Sequence, residues 1–398
     1  MSTSSDTTIS PLEAAAFSLW PTNPNWSFRF NRIVGSAPTG GADFTEAYLA
    51  LRDVPAGDDQ AYGVALTTLS ERLAGEAERA YAAGHTVTAR TKWLRAANYL
   101  AAVAVNNRVS EEIRDRVVTG RREYFRAAVA LSDTPVTPVE IPYEGGKTLP
   151  GYLCEPAAKY ARPRPALIAM GGGDGVAEEV YFAFGAAMVD RGFTVLLLDG
   201  PGQGEAMRRG ITFRLDWEVP IGRAIDFLEG RKDVDASRIA VASGSMGSFY
   251  AARAAAYEHR VAACVIDGPV STIPDHVLRS PAFDTGLARM TGISDPAEIK
   301  RIMTGFNVPA AASKIECPVL IIASDAELAF TMPADARYDP DQWFADNGQR
   351  IFDAVPHDRK KLVRYVIGTP GAAHCAADSR VRMHAELGDW LEDVLVTH

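Results

Sequence analysis

A chain of 398 residues with 47% hydrophobic residues, 23% charged residues and a net charge of -9 falls in the ordinary globular class, with room for two domains or one large domain and a substantial addition. Its acidity argues against nucleic acid or an anionic membrane as a partner, and no apolar stretch approaches membrane-spanning length. The start, Met1 to Asp6, is polar rather than basic and then apolar, and Cys154, Cys264, Cys317 and Cys375 are dispersed. The expectation is a cytoplasmic protein with neither a disulfide framework nor a metal site.

Residues 1–137 read as mostly helical. Glu46 to Leu51 has helical spacing, and from about Asp59 to Tyr81 the apolar Tyr62, Leu66, Leu69, Leu73, Ala77 and Ala80 recur three or four apart. Gly84-His85 is a stop and restart, after which a second long helix runs from Thr88 to about Val105. A third, from about Ser110 to Leu131, opens on Ser110-Glu111-Glu112 as a capped, acidic first turn. Ser132 to Pro138, with Pro135 and Pro138, reads as a linker.

Beyond it the pattern changes. Val139-Glu140-Ile141 and Gly151-Tyr152-Leu153 flank a glycine turn and predict a hairpin. Strand-like runs then alternate with helical ones: a strand at 165–170, a helix at 178–191, a strand at 193–198, a helix at 219–230, a strand at 238–242, a helix at 247–257 and a strand at 262–266. That alternation predicts a mostly parallel sheet covered on both faces. Residues 270–313, with helical patterns at about 281–290 and 296–304, interrupt it as a lid-like insertion. Strand 318–322 resumes the sheet, and 328–350 is expected to be a second, irregular insertion carrying Phe330, Tyr338, Trp343 and Phe344. A last strand at 362–367 and a helix at about 376–394 close the chain.

The chemistry centres on Ala242-Ser243-Gly244-Ser245-Met246-Gly247, between a β-branched run and a helix-forming one. Strand, tight corner and helix is the setting that bares a nucleophilic serine in the pattern G-x-S-x-G, here with Ser243 in the first position. Ser245 is the candidate nucleophile. A serine hydroxyl needs an imidazole to take its proton and an acid to orient that imidazole, and α/β-hydrolases place them in the chain order serine, acid, histidine. His374, directly after the last strand and a small-residue turn, is the candidate base; His85 and His276 fall outside the expected position, and His259, His357, His384 and His398 sit in helical or surface contexts. Two carboxylates compete for the acid: register after strand 318–322 favours Glu327, while Asp325 is shorter and nearer the strand end. The oxyanion donors are expected from the backbone of Met246 and from Gly172 or Gly173 in the loop Gly171-Gly172-Gly173-Asp174-Gly175. That loop is neither G-x-G-x-x-G nor a Walker sequence, and its aspartate would repel phosphate, so no nucleotide or other cofactor is expected.

Gly171 to Gly175 with Glu178-Glu179-Val180-Tyr181-Phe182, the turn Asp199-Gly200-Pro201-Gly202-Gln203-Gly204, the Ser245 elbow and Gly371-Ala372-Ala373-His374-Cys375 resemble one family, as does Gly84 to Tyr99 in the helical part. The resemblance, from about residue 28 to the end, is to α/β-hydrolases with an N-terminal helical cap: 2,6-dihydroxypseudooxynicotine hydrolase, fungal polyketide-shortening hydrolases and FrsA-like esterases. It implies an α/β-hydrolase fold with a cap domain at 1–137 and a catalytic domain at 138–398. It also implies a homodimer with the cap near the active-site mouth. The activity it implies is cleavage of a carbon–carbon bond next to a carbonyl in a polyketide or aromatic diketone, with or without ring closure, or plain ester hydrolysis. Ser245 would be nucleophile, His374 base and then acid, and Glu327 or Asp325 its orienter.

The expected partner is a small, apolar or aromatic substrate, for which Phe283, Phe306, Trp343, Phe344, Trp93 and Tyr99 are candidate pocket walls where they are not core packing. A carboxylesterase with the same triad is the second reading. A catalytically silent binding protein on the same fold is the third, and it would require a broken triad.

Overall fold

The computed structural model describes residues 8–15, 17–104, 109–278 and 281–396, and the side chains of all of these except 275, 276 and 281–285. Residues 1–6, His398 and the side chains of His276 and Phe283 therefore lie outside the described set.

Five helices come first: α1 (Pro24–Val34), α2 (Phe44–Leu51), α3 (Asp59–Ala82), α4 (Thr86–Ala104) and α5 (Glu111–Val129). The last three match the expected spacing. α1 was not anticipated, although Asn23 caps it by accepting from the Trp26 N–H at 3.2 Å, Pro24 occupies its first turn and Trp26, Phe30 and Ile33 line its buried face. Those three pack with Tyr62, Leu66, Leu73, Tyr99 and Val117 as a core of the helical layer itself.

Eight strands form one sheet in the order β1-β2-β4-β3-β5-β6-β7-β8. They are β1 (Val136–Pro142), β2 (Thr148–Cys154), β3 (Arg164–Met170), β4 (Thr194–Leu198), β5 (Val234–Gly244), β6 (Ala263–Asp267), β7 (Val319–Ser324) and β8 (Lys360–Tyr365). Only β2 runs antiparallel to its neighbours β1 and β4; the rest pair in parallel. The fold is thus the mostly parallel sheet that the alternation predicted, in the α/β-hydrolase arrangement that the resemblance implied. Alternate residues divide between its faces. Ile168, Leu196, Val241, Ile266 and Ile321 pack with the helices Glu218–Glu229 and Gly247–Tyr257, while Leu167, Leu197, Ala240, Val265 and Leu320 pack with Arg380–Leu395 and the helical stretch after residue 177. The helical layer rests on this second face, where Trp93 and Phe125 join the same core.

Two local expectations are corrected. The segment 132–138 is not linker throughout, because β1 begins at Val136 and contains Pro138. A proline is tolerated there because β1 is an edge strand. Nor is 328–350 irregular throughout: Asp339 caps a helix at Pro340–Phe344 that continues through Ala345–Gln349 into Arg350–Ala354. No helix among the described residues is long and apolar enough to cross a membrane.

Every parallel strand ends on the same side, so the segments after Met170, Leu198, Gly244, Asp267, Ser324 and Tyr365 gather at one rim. Ligand sites in open α/β sheets form at that rim.

Candidate active site

At the end of β5 the chain turns on Ser245, whose φ of 62° lies in the left-handed region that a residue bearing a Cβ rarely adopts. The turn is held from both sides: the Ser245 N–H donates to the Asp267 carbonyl at 3.0 Å, and the Ser248 N–H donates to the Ser245 carbonyl at 2.9 Å. Helix Gly247–Tyr257 starts immediately afterwards. Ser243, the departure from the glycine pattern, has a task of its own. Its hydroxyl donates to the carbonyls of Met170 at 3.0 Å and Gly171 at 3.2 Å, tying the elbow to the glycine loop. It fits because position 247 is glycine; a methyl there would overlap the Ser243 hydroxyl.

The glycine loop lies directly against Ser245. A methyl on Gly172 would stand 2.9 Å from the Ser245 Cβ and 3.3 Å from its Oγ, so glycine is required for this approach. Gly173 faces the Met246 side chain. The turn after β4 buttresses the loop: Gln203 Nε2 donates to the carbonyls of Gly171 at 2.6 Å and Gly172 at 2.7 Å. Asp199 accepts from the N–H groups of Ala177 and Glu205, each at 2.8 Å, and burial lifts its pKa to about 6. These glycine motifs therefore brace one another around Ser245, and Asp199 is committed to backbone donors.

The two carboxylates after β7 have different partners. Glu327 is fully buried; its Oε2 meets His374 Nδ1 at 2.5 Å and accepts from the Cys375 N–H at 3.2 Å, while Oε1 accepts from the Ser324 N–H at 2.8 Å. Asp325 turns the other way, pairing with Arg364 Nε at 2.6 Å and accepting from the Ile367 N–H at 3.2 Å. The expectation that either could orient His374 narrows to Glu327, because Asp325 is spent on fastening the β8 side of the rim. Cys375 adds a thiol 3.6 Å from His374 Nε2. Burial, reinforced by Asp267 and Glu327, raises its pKa well above the usual thiol value. Glu327, His374 and Cys375 bring possible ligand atoms within 4.8 Å of one another. With Nδ1 held by the carboxylate and the thiol neutral, the trio reads as an acid–base pair with a neutral neighbour rather than a metal cage.

Ser245, Met246, Gly172, Gly173 and His374 line one cavity of about 610 Å³. Among the described residues its aromatic walls are not the anticipated ones. Trp26, Phe28, Phe184 and Phe330 line it, and Phe28 stacks on Phe330 at 4.1 Å with both rings near His374. Phe306 instead stacks on Phe249, Trp343 packs beside Tyr338, Phe344 lies under Arg364, and Trp93 and Tyr99 belong to the packed cores. Helical periodicity marks core packing as readily as pocket lining, and here core packing accounts for them.

Several residues at the site escaped the sequence reading. Arg32 of α1 forks onto Glu179 at 2.5 and 2.6 Å and reaches Asp174 of the glycine loop at 2.8 Å. Glu178 pairs with Arg121 of α5 at 3.1 Å and accepts from the Tyr152 hydroxyl at 2.7 Å. The paired glutamates after the glycine loop thus bind the helical layer to the sheet. The signal for α1 was Asn23-Pro24 followed by apolar residues at helical spacing. Asp267 was also passed over, although an aspartate closing an otherwise apolar strand is conspicuous. It lines the cavity and is 1% exposed.

Comparison with known proteins agrees with this architecture. Residues 76–285 match the family described as esterase FrsA-like. The chain is 33% identical to hydrolase ORFZ of Pyricularia oryzae over 76% of this chain and 82% of that one. It is 30% identical to hydrolase acrC of Aspergillus aculeatus over 92% and 95%. Among solved structures, 2,6-dihydroxy-pseudo-oxynicotine hydrolase superposes with a TM-score of 0.75 at 25% identity, covering 91% of this chain and 96% of that one.

Proposed function

The chain belongs to the FrsA-like family of α/β-hydrolases, and on that premise we propose that it cleaves the carbon–carbon bond next to a carbonyl in an aromatic or polyketide-type β-diketone through an acyl-enzyme on Ser245. The observation that carries this reading is the strained Ser245 elbow sharing one aromatic-walled cavity with the Glu327–His374 pair. His374 takes the Ser245 proton through Nε2, which the Cys375 thiol also reaches at 3.6 Å, and Glu327 on Nδ1 fixes the tautomer that leaves this nitrogen unprotonated and stabilises the imidazolium. The Ser245 oxygen attacks the carbonyl, and the oxyanion is received by the backbone of Met246 and of Gly172 or Gly173, the loop that Gln203 and Ser243 hold in place. Collapse expels the carbon leaving group with a proton from His374, and water then releases the acid by the reverse sequence.

Carboxylester hydrolysis is the second reading, favoured by the esterase description of the matching family. Both share every step up to the leaving group. Ser245→Ala is expected to remove at least about a thousandfold of kcat for either substrate class while the fold persists, since little packing is lost. Incubation with benzoylacetone and 4-nitrophenyl acetate, with mass spectrometry of the intact protein, is expected to show a Ser245 acyl adduct from both. Undiminished turnover in the alanine variant would overturn the mechanism; an adduct from the ester alone would leave an esterase.

A further inference from the structure

Asp267 closes β6 beside the nucleophile: it pairs in register with Gly244, and its carbonyl receives the Ser245 N–H. Asp267 is among the residues that line the reaction cavity, and its carboxyl Oδ1 is buried without a hydrogen-bond partner. A buried ionised carboxylate in that condition would be costly, whereas a protonated one carries a donor that a ligand can satisfy. Burial first, then the negative charge of Glu327, lifts the Asp267 pKa to about 8 against the opposing pull of Arg380 and of the Gly268 N–H. The other titratable groups facing it are the neutral Cys375 thiol and Tyr365 of β8, whose own pKa burial raises. The triad does not use Asp267.

We propose that Asp267 is a further catalytic residue, a neutral carboxyl that donates a hydrogen bond to the oxygen of the departing enolate and so adapts this triad to β-diketones. The inference rests on the carbon–carbon reading above. In that reaction the Ser245 Oγ–carbon bond forms as His374 takes the hydroxyl proton. When the tetrahedral adduct collapses, the carbon–carbon bond breaks and its electron pair moves into the neighbouring carbonyl, giving an enolate. The Asp267 O–H holds that oxygen, and the His374 imidazolium delivers its proton to the α-carbon. A ketone leaves and the acyl group stays on Ser245; water converts it to the acid, so diketone and water give ketone and acid. An ester leaving group takes the His374 proton on its own oxygen and presents no second oxygen for Asp267. Similar neutral carboxyls in apolar sites hold enolates elsewhere.

The test compares kcat/KM for benzoylacetone with that for 4-nitrophenyl acetate in the full chain. Removing one such donor typically costs about a hundredfold, so Asp267→Ala is expected to lower the diketone-to-ester ratio about a hundredfold. Asp267→Asn, which retains a donor, is expected to restore most of that ratio. In the wild type, diketone cleavage should fall as pH rises through about 8, because the donor proton is lost there, and the asparagine variant should lack this limb. If alanine leaves the ratio unchanged while the wild type cleaves the diketone, the donor role is wrong and the carbon–carbon reading survives. If the wild type cleaves only the ester, that reading fails and takes the donor with it.

Discussion

The sheet rim and the helical layer build this site by different means. On the rim, position comes from the backbone: Ser245 on its left-handed turn, the glycine loop pressed against it, and His374 and Glu327 at successive strand ends. The helical layer contributes by side chain alone, through the ties Arg32–Glu179 and Arg121–Glu178 and through Phe28 laid over Phe330. Backbone placement tolerates few residue types and leaves motifs. Side-chain placement depends on pairings separated by 147 residues in the case of Arg32 and Glu179, and leaves almost none. The rim should therefore govern kcat, and the helical layer should govern stability and KM.

The sharpest break of that division is expected at the acid. Glu327→Gln keeps the shape of the side chain but fails to stabilise the imidazolium, and loss of a comparable carboxylate lowers kcat by about 10⁴. Asp325→Asn, two residues away, should leave kcat within about tenfold, because its carboxylate serves Arg364 and the Ile367 N–H instead. Steady-state kinetics on 4-nitrophenyl acetate decides between them; equal losses would mean that the Arg364 pair, and not the Glu327–His374 contact, positions the base.

Next in size is the tie between the layers. Arg32→Ala leaves Glu179, which is largely buried, without its forked partner, a loss of about 3 kcal/mol. Thermal denaturation should register it as a melting temperature lower by several degrees. Arg32→Lys should recover only part, because an ammonium cannot reproduce the two parallel bonds that the guanidinium makes to Glu179. An unchanged melting temperature for the alanine variant would mean that Arg380, 3.7 Å from Glu179, takes over the pairing.

The same division explains what could be read from the chain. The parallel sheet, the elbow and the histidine were legible because each depends on local spacing: β-branched runs, a serine between small residues, a histidine after a turn. The choice between Asp325 and Glu327 was not, since both follow one strand by a few residues and only the position of Arg364 on the neighbouring β8 separates them. The pocket aromatics were missed for a related reason. Phe28 lies on a helix where Phe30 joins the helical core and Trp26 both joins that core and lines the cavity, and nothing in the spacing says which ring faces a cavity. Ser243 departs from the glycine of the motif, and only the carbonyls of Met170 and Gly171 within reach of its hydroxyl show why.

The smallest effect expected is at Phe28, and it tests the helical layer where it meets the chemistry. Its ring stacks on Phe330 with an interplanar angle of 16°, 5.8 Å from His374, on a half-buried stretch of α1 that lines the cavity. An aromatic contact of this kind is worth about 1 kcal/mol beyond the area it covers, or roughly fivefold in affinity. Phe28→Ala should therefore raise KM for benzoylacetone about fivefold and leave kcat within about threefold, because no group that moves a proton or holds the oxyanion is lost. Phe28→Leu should fall between, keeping apolar area without the stacked face. A fall in kcat with KM unchanged would place Phe28 among the groups that orient His374, and would erase the division between a rim that reacts and a layer that binds.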